Sequence, residues 1–395
     1  MKARHGWYRV WITLGIAAVG LMLLWLAMSR RAEAGIEVRS QTTLDDFNGG
    51  EFLRTGLADV GDGAVSLLRA GLSGEWITTV VTAGLTPRWG HTAVYTNGRI
   101  YVIGGLDDPA APNAITATII QSAAVQSDHN LSPWATVPTN LTAIFPRGTA
   151  YGGAVLVNDF LYVIGGRQDF NMENPLQSQV AYARVRPDGT LSPFTATTPL
   201  PSGLSNMAVA AWDGWIYVIG GLAQGASITV VDTIYAARPD PATGEISGWA
   251  LLTWTLPYPL HSHAAVAEQG YLYVIGGMTQ TAGSPLFEVW FAPLGAGTLQ
   301  APFTRTAALD NNLVELATIG YNGLLLTSGG LQSTLSDPSP DVRAGVIADS
   351  GPVITWTATS LITPPRHAHA MVVLPDGWVY VIGGRGRIGA SPIPL

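Results

Sequence analysis

Arginine side chains recur where the chain leads into short apolar segments. They follow proline in Pro87-Arg88, Pro146-Arg147 and Pro365-Arg366. A guanidinium group is a planar fork of donors that matches a carboxylate, so these positions could bind acidic groups. A repeated arginine could equally tie neighbouring loops together. The residues by themselves leave both roles open.

Glycine pairs set the order of the segments that must position these side chains. Five of the six pairs follow Tyr-Val-Ile, and the pairs recur every 53 to 61 residues. A fixed period of about 50 residues built from short strands is typical of a radial array of sheets. The pairs are Gly104-Gly105, Gly165-Gly166, Gly220-Gly221, Gly276-Gly277, Gly329-Gly330 and Gly383-Gly384.

Each glycine pair ends a predicted hairpin, and two outer strands follow it. In the first unit, Asn97-Gly98 joins the strands, as expected for a turn whose central residues need φ > 0. In the other units an aromatic residue begins the outermost predicted strand. Trp76 lies at the corresponding position, but no predicted hairpin precedes it. We therefore expect Gly63–Ala70 and Trp76–Thr82 to complete the last sheet, which removes the exposed edges of an open array.

These repeats resemble the kelch family over roughly residues 63–384. The resemblance implies an all-β fold: a six-bladed β-propeller of four-stranded antiparallel blades, closed by N-terminal strands and occupying residues 63–395. The fifth unit departs from the pattern, because Leu326-Thr327-Ser328 replaces Tyr-Val-Ile. We expect that blade to be intact but less involved in function.

The N-terminal residues predict a membrane anchor. Residues 10–28 are uncharged and would span about 28 Å as a helix, close to the ~30 Å bilayer core. Basic residues in 1–9 favour that end in the cytoplasm. Residues 29–62 would be a linker. Cleavage of a secretory signal before Gly35 is the alternative. Either reading places the propeller outside the cytoplasm, at the cell surface or in the periplasm.

Charge and composition exclude several classes of function. Residues 1–31 hold five of the 20 basic residues and no acidic one, so the remainder has 15 basic against 27 acidic residues, a formal charge of −12. Such a body repels phosphate backbones, and we expect no nucleic-acid partner. The chain has no Cys. Thiolate metal sites, and the Tyr–Cys cofactor of the copper galactose oxidases among kelch-like enzymes, are therefore excluded.

A third set of residues, the histidines at one repeat position, could ligate a metal. His91, His263 and His369 fall in the first, fourth and sixth hairpins, which spreads them around the axis instead of bringing them together. We therefore predict no metal site, and we expect no other cofactor.

The predicted binding surface is the face that carries the segments after the glycine pairs, which we call the loop face. Long, varied loops on a rigid scaffold are where binding usually occurs. Some kelch domains grip acidic peptides with the arginine of the Pro-Arg step. We expect the mouth of this face to be formed by Arg88, Trp89, Arg147, Phe170, His261, Arg305, Arg366 and His367.

The leading functional prediction is a membrane-tethered protein-binding or scaffold module, which includes the case of a subunit of a membrane complex. The chain contains no catalytic constellation that we recognise, so an enzyme is the less favoured reading. The alternative is a carbohydrate-binding or sugar-isomerising, mutarotase-like propeller. In that case a glycan would stack on aromatic side chains such as Trp89 and Phe170.

Overall fold

The computed structural model describes residues 65–69, 77–79, 84–107, 119–168, 174–279, 283–332, 337–348, 351–352, 354–388 and 391–394. All of them belong to the compact unit Ala58–Leu395. The predicted anchor, residues 10–28, and the predicted linker, residues 29–62, lie outside these ranges, as do Trp76 and Phe170. Within the described ranges, no helix combines the length and apolar character that a membrane crossing requires.

Short strands dominate the described residues, with a single 3-10 turn at Leu141–Ala143 among them. In chain order the strands are β1 (Val65–Arg69), β2 (Ile77–Thr79), β3 (Thr92–Thr96), β4 (Arg99–Ile103), β5 (Ile120–Ala124), β6 (Ala135–Thr136), β7 (Gly153–Val157), β8 (Phe160–Gly166), β9 (Gln177–Arg184), β10 (Thr195–Thr197), β11 (Leu204–Ser205), β12 (Ala208–Trp212), β13 (Trp215–Gln224), β14 (Ile228–Ala237), β15 (Ala250–Leu251), β16 (Ala264–Glu268), β17 (Tyr271–Ile275), β18 (Val289–Pro293), β19 (Thr304–Arg305), β20 (Ala317–Tyr321), β21 (Leu324–Ser328), β22 (Val342–Ile347), β23 (Ile354–Ala358), β24 (Ala370–Val373), β25 (Trp378–Ile382), β26 (Arg385–Ile388) and β27 (Ser391–Pro394).

The strands form antiparallel sheets arranged around an axis. Four consecutive strands make a sheet in β3–β6, β7–β10, β16–β19 and β20–β23. The innermost strands β3, β7, β12, β16, β20 and β24 each contact the next, and β24 contacts β3. The chain is therefore a closed β-propeller. The apolar core lies between adjacent sheets, for example where Ile100 and Val102 of one sheet pack with Val372 and Tyr380 of another.

N-terminal strands complete the sheet that closes the ring, as the sequence predicts. Its order is β2–β1–β25–β24, with Val65 opposite Ile382 and Arg69 opposite Trp378. A sheet shared by both ends of the chain leaves no open edge at the joint.

The prediction of six four-stranded blades is wrong: the described residues form five four-stranded blades. The remaining sheet has five strands, because β13 and β14 continue past Gly221 and β11 pairs with the extension, Leu204 opposite Ala223. Residues 222–229 follow the third glycine pair and therefore belong to the segments predicted as loops, but most of them form the end of this long hairpin. A separate two-stranded hairpin, β26–β27, follows the last glycine pair.

Close packing between sheets explains the glycine pairs. Gly104 has φ +67°, and a Cβ there would lie 2.0 Å from the carbonyl oxygen of Thr149 in the next sheet. A Cβ at Gly383, which has φ +57°, would lie 2.7 Å from Cε1 of His91. Only glycine fits both the left-handed backbone and the space.

In four of the five Tyr-Val-Ile segments, the tyrosine hydroxyl donates to a backbone carbonyl of a neighbouring sheet. The hydroxyl of the fifth, Tyr273, makes no hydrogen bond within the described residues. The hydroxyl of Tyr162 donates to the carbonyl of Gly244 at 2.7 Å, and that of Tyr217 donates to Gly295 at 3.0 Å. Across the joint between the last sheet and the first, Tyr380 donates to His129 at 2.6 Å. Where this tyrosine bond forms, the Tyr-Val-Ile segment provides a hydrogen bond between blades as well as an apolar strand.

Candidate functional site

Six residues at equivalent positions form a ring around the axis at the loop face, just before the innermost strands. All six have φ between 49° and 63°. Each backbone N–H donates to the carbonyl of its neighbour at 2.7 to 2.9 Å, and the sixth bond closes the circle. A left-handed backbone costs a non-glycine residue about 1–2 kcal/mol, which these bonds help to offset. We call this set the axial ring: Gly90, Tyr151, Asn206, Ser262, Glu315 and Ala368.

A cavity of about 150 Å³ lies at the axial ring. Each of the six positions contributes its ring residue and the residue after it, so every blade reaches the cavity. This volume is several times what one water requires. We call it the axial pocket, and the residues that line it after the ring are His91, Gly152, Met207, His263, Leu316 and His369.

Glu315 is the acidic residue of the axial pocket, and two side chains donate to its carboxylate. Nδ1 of His367 lies 2.7 Å from Oε2. The hydroxyl of Tyr151 donates from the opposite side of the axial ring. Burial raises the pKa of Glu315, but the hydrogen bond and charge of His367, the charge of His261 and the Tyr151 hydrogen bond outweigh it. The pKa falls below its ordinary value, so Glu315 is ionised at neutral pH.

Tyr151 lines the pocket and reaches Glu315, the opposite member of the axial ring. Its ring lies against Gly90, where a Cβ would be 2.8 Å from Cε2. Burial and the charge of Glu315 raise the pKa of Tyr151 well above its usual value, against the opposing charges of Arg167 and Arg385. The hydroxyl is therefore protonated and serves as a donor to the carboxylate.

The other polar side chains of the axial ring, Asn206 and Ser262, form hydrogen bonds with each other and with the residues that precede them. Ser205 donates from Oγ to Oδ1 of Asn206 at 3.1 Å. Nδ2 of Asn206 donates to Oγ of Ser262 at 3.0 Å. Nδ1 of His261 lies 3.1 Å from the same oxygen. This chain fixes one side of the ring, whereas Glu315 and Tyr151 hold the other.

The three repeated histidines pack between blades. Nε2 of His91 donates to the carbonyl of Ile382 at 3.1 Å, and Nε2 of His369 lies 2.7 Å from Oγ of Ser328. Burial, with the charge of Arg88 second, lowers the pKa of His91 to about 3. Burial, with the charge of His261 second, lowers that of His263 to about 3. Among the described residues, no three His, Asp or Glu side chains are grouped to hold a metal.

Two of the predicted binding arginines are structural. Arg88 and Arg366 are fully buried, at 0% exposure. Nη1 of Arg88 donates to the carbonyl of Gly104 at 3.0 Å, and Nη1 of Arg366 donates to Gly383 at 3.1 Å. Each guanidinium therefore binds the first glycine of its own blade. Burial lowers the pKa of Arg366 to about 10, which keeps it charged at neutral pH.

Arg147 does not occupy the position of Arg88 and Arg366. It is exposed, and Thr149 takes the equivalent place two residues before Tyr151. Oγ1 of Thr149 donates to the first glycine of its blade, Gly165, at 2.7 Å. The shared Pro-Arg dipeptide predicted that Arg147 is equivalent to Arg88 and Arg366. It is not, because the second unit has two additional residues between Pro146-Arg147 and the innermost strand.

The remaining predicted site residues lie in different surroundings. Trp89 is buried under the guanidinium of Arg385, 5.4 Å from the ring centroid, and offers no stacking platform. Arg305 lies on the outermost strand β19, 3.3 Å from Glu288, away from the axis. Phe170 lies outside the described residues. His261 and His367, by contrast, flank the axial ring and support Ser262 and Glu315.

Sequence reasoning missed the axial ring, although a signal for it exists. The ring residue precedes the first glycine of its pair by 14 positions in five units and by 15 in the last. Aligning the units on their glycine pairs would have identified the position. Its residue types differ in every unit, so a search for repeated residue types does not find it.

Several curated proteins resemble parts of this chain. It is 29% identical over 136 residues to Kelch-like protein 33 of Homo sapiens, covering 33% of this chain and 22% of that protein. It is 31% identical over 159 residues to Kelch-like protein terF of Aspergillus terreus, covering 38% and 31%. It is 27% identical over 216 residues to Kelch repeat and BTB domain-containing protein 1 of Ectromelia virus, covering 54% and 35%.

A solved structure has the same fold. The structure of YjhT matches with a TM-score of 0.57 and 15% identity, over 80% of this chain and 96% of that one. No family model matches the sequence. The chain spans about a fifth to a third of the length of the curated relatives it matches. The relatives, the repeated glycine-pair hairpins and the closed ring of sheets together make the chain similar to the kelch-repeat proteins.

Proposed function

We propose that the chain is a protein-binding kelch propeller, tethered to a membrane through residues 10–28 and displayed outside the cytoplasm. Propellers of this family commonly bind proteins, which supports a protein partner. The uncharged run of residues 10–28 and the basic residues before it support the tether and its orientation.

The observation that carries the proposal is a pocket on the axis of the loop face, together with a hairpin that projects from the same face. Glu315, His367 and the axial pocket lie there. The long hairpin β13–β14 also ends on this face, with an exposed tip at Gly225, Ala226 and Ser227. The opposite face carries the tight hairpin turns. Binding through the loop face leaves the packing between the blades undisturbed.

The absence of Cys from the chain makes its orientation directly measurable. We expect Ser227→Cys, at the exposed tip of β13–β14, to react with a membrane-impermeant maleimide in intact cells. Lys2→Cys should react only after the membrane is permeabilised. Labelling of the cysteine at 2 but not at 227 in intact cells would reverse the proposed orientation.

Photo-crosslinking in the native membrane tests the partner and its face. A photoreactive residue at Ser227 should give a discrete crosslinked species with another protein. The matched control is Asp188, on an exposed turn of the opposite face. Crosslinks from the Asp188 position alone, or from neither position, would contradict binding through the loop face.

A further inference from the structure

We infer that the axial pocket is a binding site for a primary ammonium group carried on an alkyl chain. The origin of this ammonium group rests on the proposed function: a lysine side chain of the protein partner supplies it. Glu315 is the counter-ion, and it must release the hydroxyl of Tyr151 to receive the ammonium.

The lining of the pocket favours an amphipathic guest. Met207, Leu316 and Ala368 supply apolar surface beside the polar side chains of the lining. A lysine side chain has a four-carbon apolar stem and a compact charged end, so both parts find matching surfaces. About 150 Å³ has room for several waters, and therefore for a stem of this size.

The charge carried by the lining of the pocket is negative, whereas the positive charges that act on Glu315 and Tyr151 belong to residues outside the lining: His261, His367, Arg167 and Arg385. Glu315 is the residue of the lining that is ionised at neutral pH, because His91, His263 and His369 are kept neutral by burial. The arginines predicted to bind acidic groups do not face it: Arg88 and Arg366 bind carbonyls inside their blades. The acidic body of the propeller further attracts cations.

Hydrogen bonding in the pocket disfavours a saccharide. A sugar ring needs donors and acceptors on several sides. Asn206 and Ser262, two neutral polar side chains of the axial ring, already bind each other at 3.0 Å. The neutral histidines of the lining have ring nitrogens without a hydrogen bond among the described residues, but those atoms are buried: Nδ1 of His91 and His369 and both nitrogens of His263. Glu315 differs from Asn206 and Ser262 because one of its two donors can be displaced. That donor is the hydroxyl of Tyr151, which comes from the opposite side of the axial ring. An ammonium can replace that hydroxyl with a charge-assisted hydrogen bond.

Saturation-transfer NMR on the full chain in detergent tests this site with three compounds. They are N-acetyl-lysine methylamide, its uncharged analogue N-acetyl-norleucine methylamide, and methyl glucoside. We expect binding of the lysine compound to exceed that of the norleucine compound by at least about tenfold, the size of one charge-assisted hydrogen bond. Equal binding of the two amides, or binding of the glucoside alone, would overturn the inference.

Two variants of the pocket should change lysine binding in opposite directions. Glu315→Gln keeps the size of the side chain but removes its charge, and we expect it to lose about tenfold or more in affinity. Tyr151→Phe removes the competing hydroxyl, and we expect a gain of about three- to tenfold. Glu245→Gln, the same chemical change on an exposed turn, should leave binding unaltered. Weaker binding in Tyr151→Phe would refute the displacement of the hydroxyl.

Crosslinking from Ser227 in the Glu315→Gln background separates the two ideas. A crosslinked partner that persists there, with no binding of the lysine compound to the wild type, removes the ammonium site and leaves the protein-binding proposal standing. If the lysine compound binds in a Glu315-dependent manner but the wild type gives no crosslinked partner, the ammonium site is supported, and a protein partner is excluded as the source of the ammonium group.

Discussion

Acidification from pH 7 to pH 5 should destabilise the propeller through its buried histidines. Burial lowers the pKa of His91 and His263 to about 3, whereas an imidazole in the unfolded chain titrates near 6.5. Over this interval the unfolded state binds a proton at each site and the folded state does not. Stability is therefore full above pH 7, and it falls as the pH drops toward 3.

The magnitude follows from these pKa values. Each histidine loses about 2 kcal/mol of stability between pH 7 and pH 5, and the two together lose about 4 kcal/mol. At pH 5 this figure changes little if the folded pKa is one unit higher. His369, whose pKa burial also holds well below its ordinary value, acts in the same direction. A loss of this size is a large part of the ~5–15 kcal/mol stability of a typical domain.

Urea unfolding followed by tryptophan fluorescence at several pH values measures the effect. His91→Gln should reduce the loss between pH 7 and pH 5 by about 2 kcal/mol, whatever the variant costs at pH 7. NMR of the histidine ring signals in the folded protein gives an independent check. A His91 or His263 signal that titrates above pH 6 in the folded state would refute the reasoning. A full wild-type pH loss in the His91→Gln variant would do the same.

Two substitutions test the packing around the axis and at the closing joint. Gly90→Ala places a Cβ 2.8 Å from the Tyr151 ring on a backbone with φ +63°, so we expect about 1–2 kcal/mol of lost stability by urea titration and a weaker Tyr151–Glu315 contact; an unchanged protein would contradict the ring packing. Tyr380→Phe removes the 2.6 Å hydrogen bond to His129 between the last and first sheets, and it should cost about 1 kcal/mol in the free energy of unfolding; no measurable cost would deny that bond a part in closure.

The fold was predictable because its signals are local. The Asn97-Gly98 turn, the Tyr-Val-Ile strand and the glycine pair each specify their own few residues. Their repetition then specifies a radial array. The closing sheet was predictable by counting, since the strands at 65–69 and 77–79 complete a hairpin that lacks outer strands. The additional strand of the five-stranded sheet, β11, was not predictable. Its two residues pair with β13 only because β13 extends beyond its glycine pair.

The candidate site was only partly predictable. His261 and His367 were identified and do flank the axial ring. Arg88 and Arg366 were selected because an arginine can bind a carboxylate. The sequence does not distinguish a buried guanidinium that binds backbone carbonyls from an exposed one that binds a ligand. Arg305 was misplaced, because its distance along the chain from the strand β20 says nothing about its distance from the axis.

The amino-acid sequence by itself determined the repeat, the turns, the glycine pairs and the sharing of one sheet by both ends of the propeller. These depend on φ angles and apolar alternation within a few residues. Only the tertiary structure decided that Tyr151 and Glu315 meet across the axis. They are far apart in the chain and belong to different blades, so closure of the ring, and no local preference, brings the hydroxyl to the carboxylate.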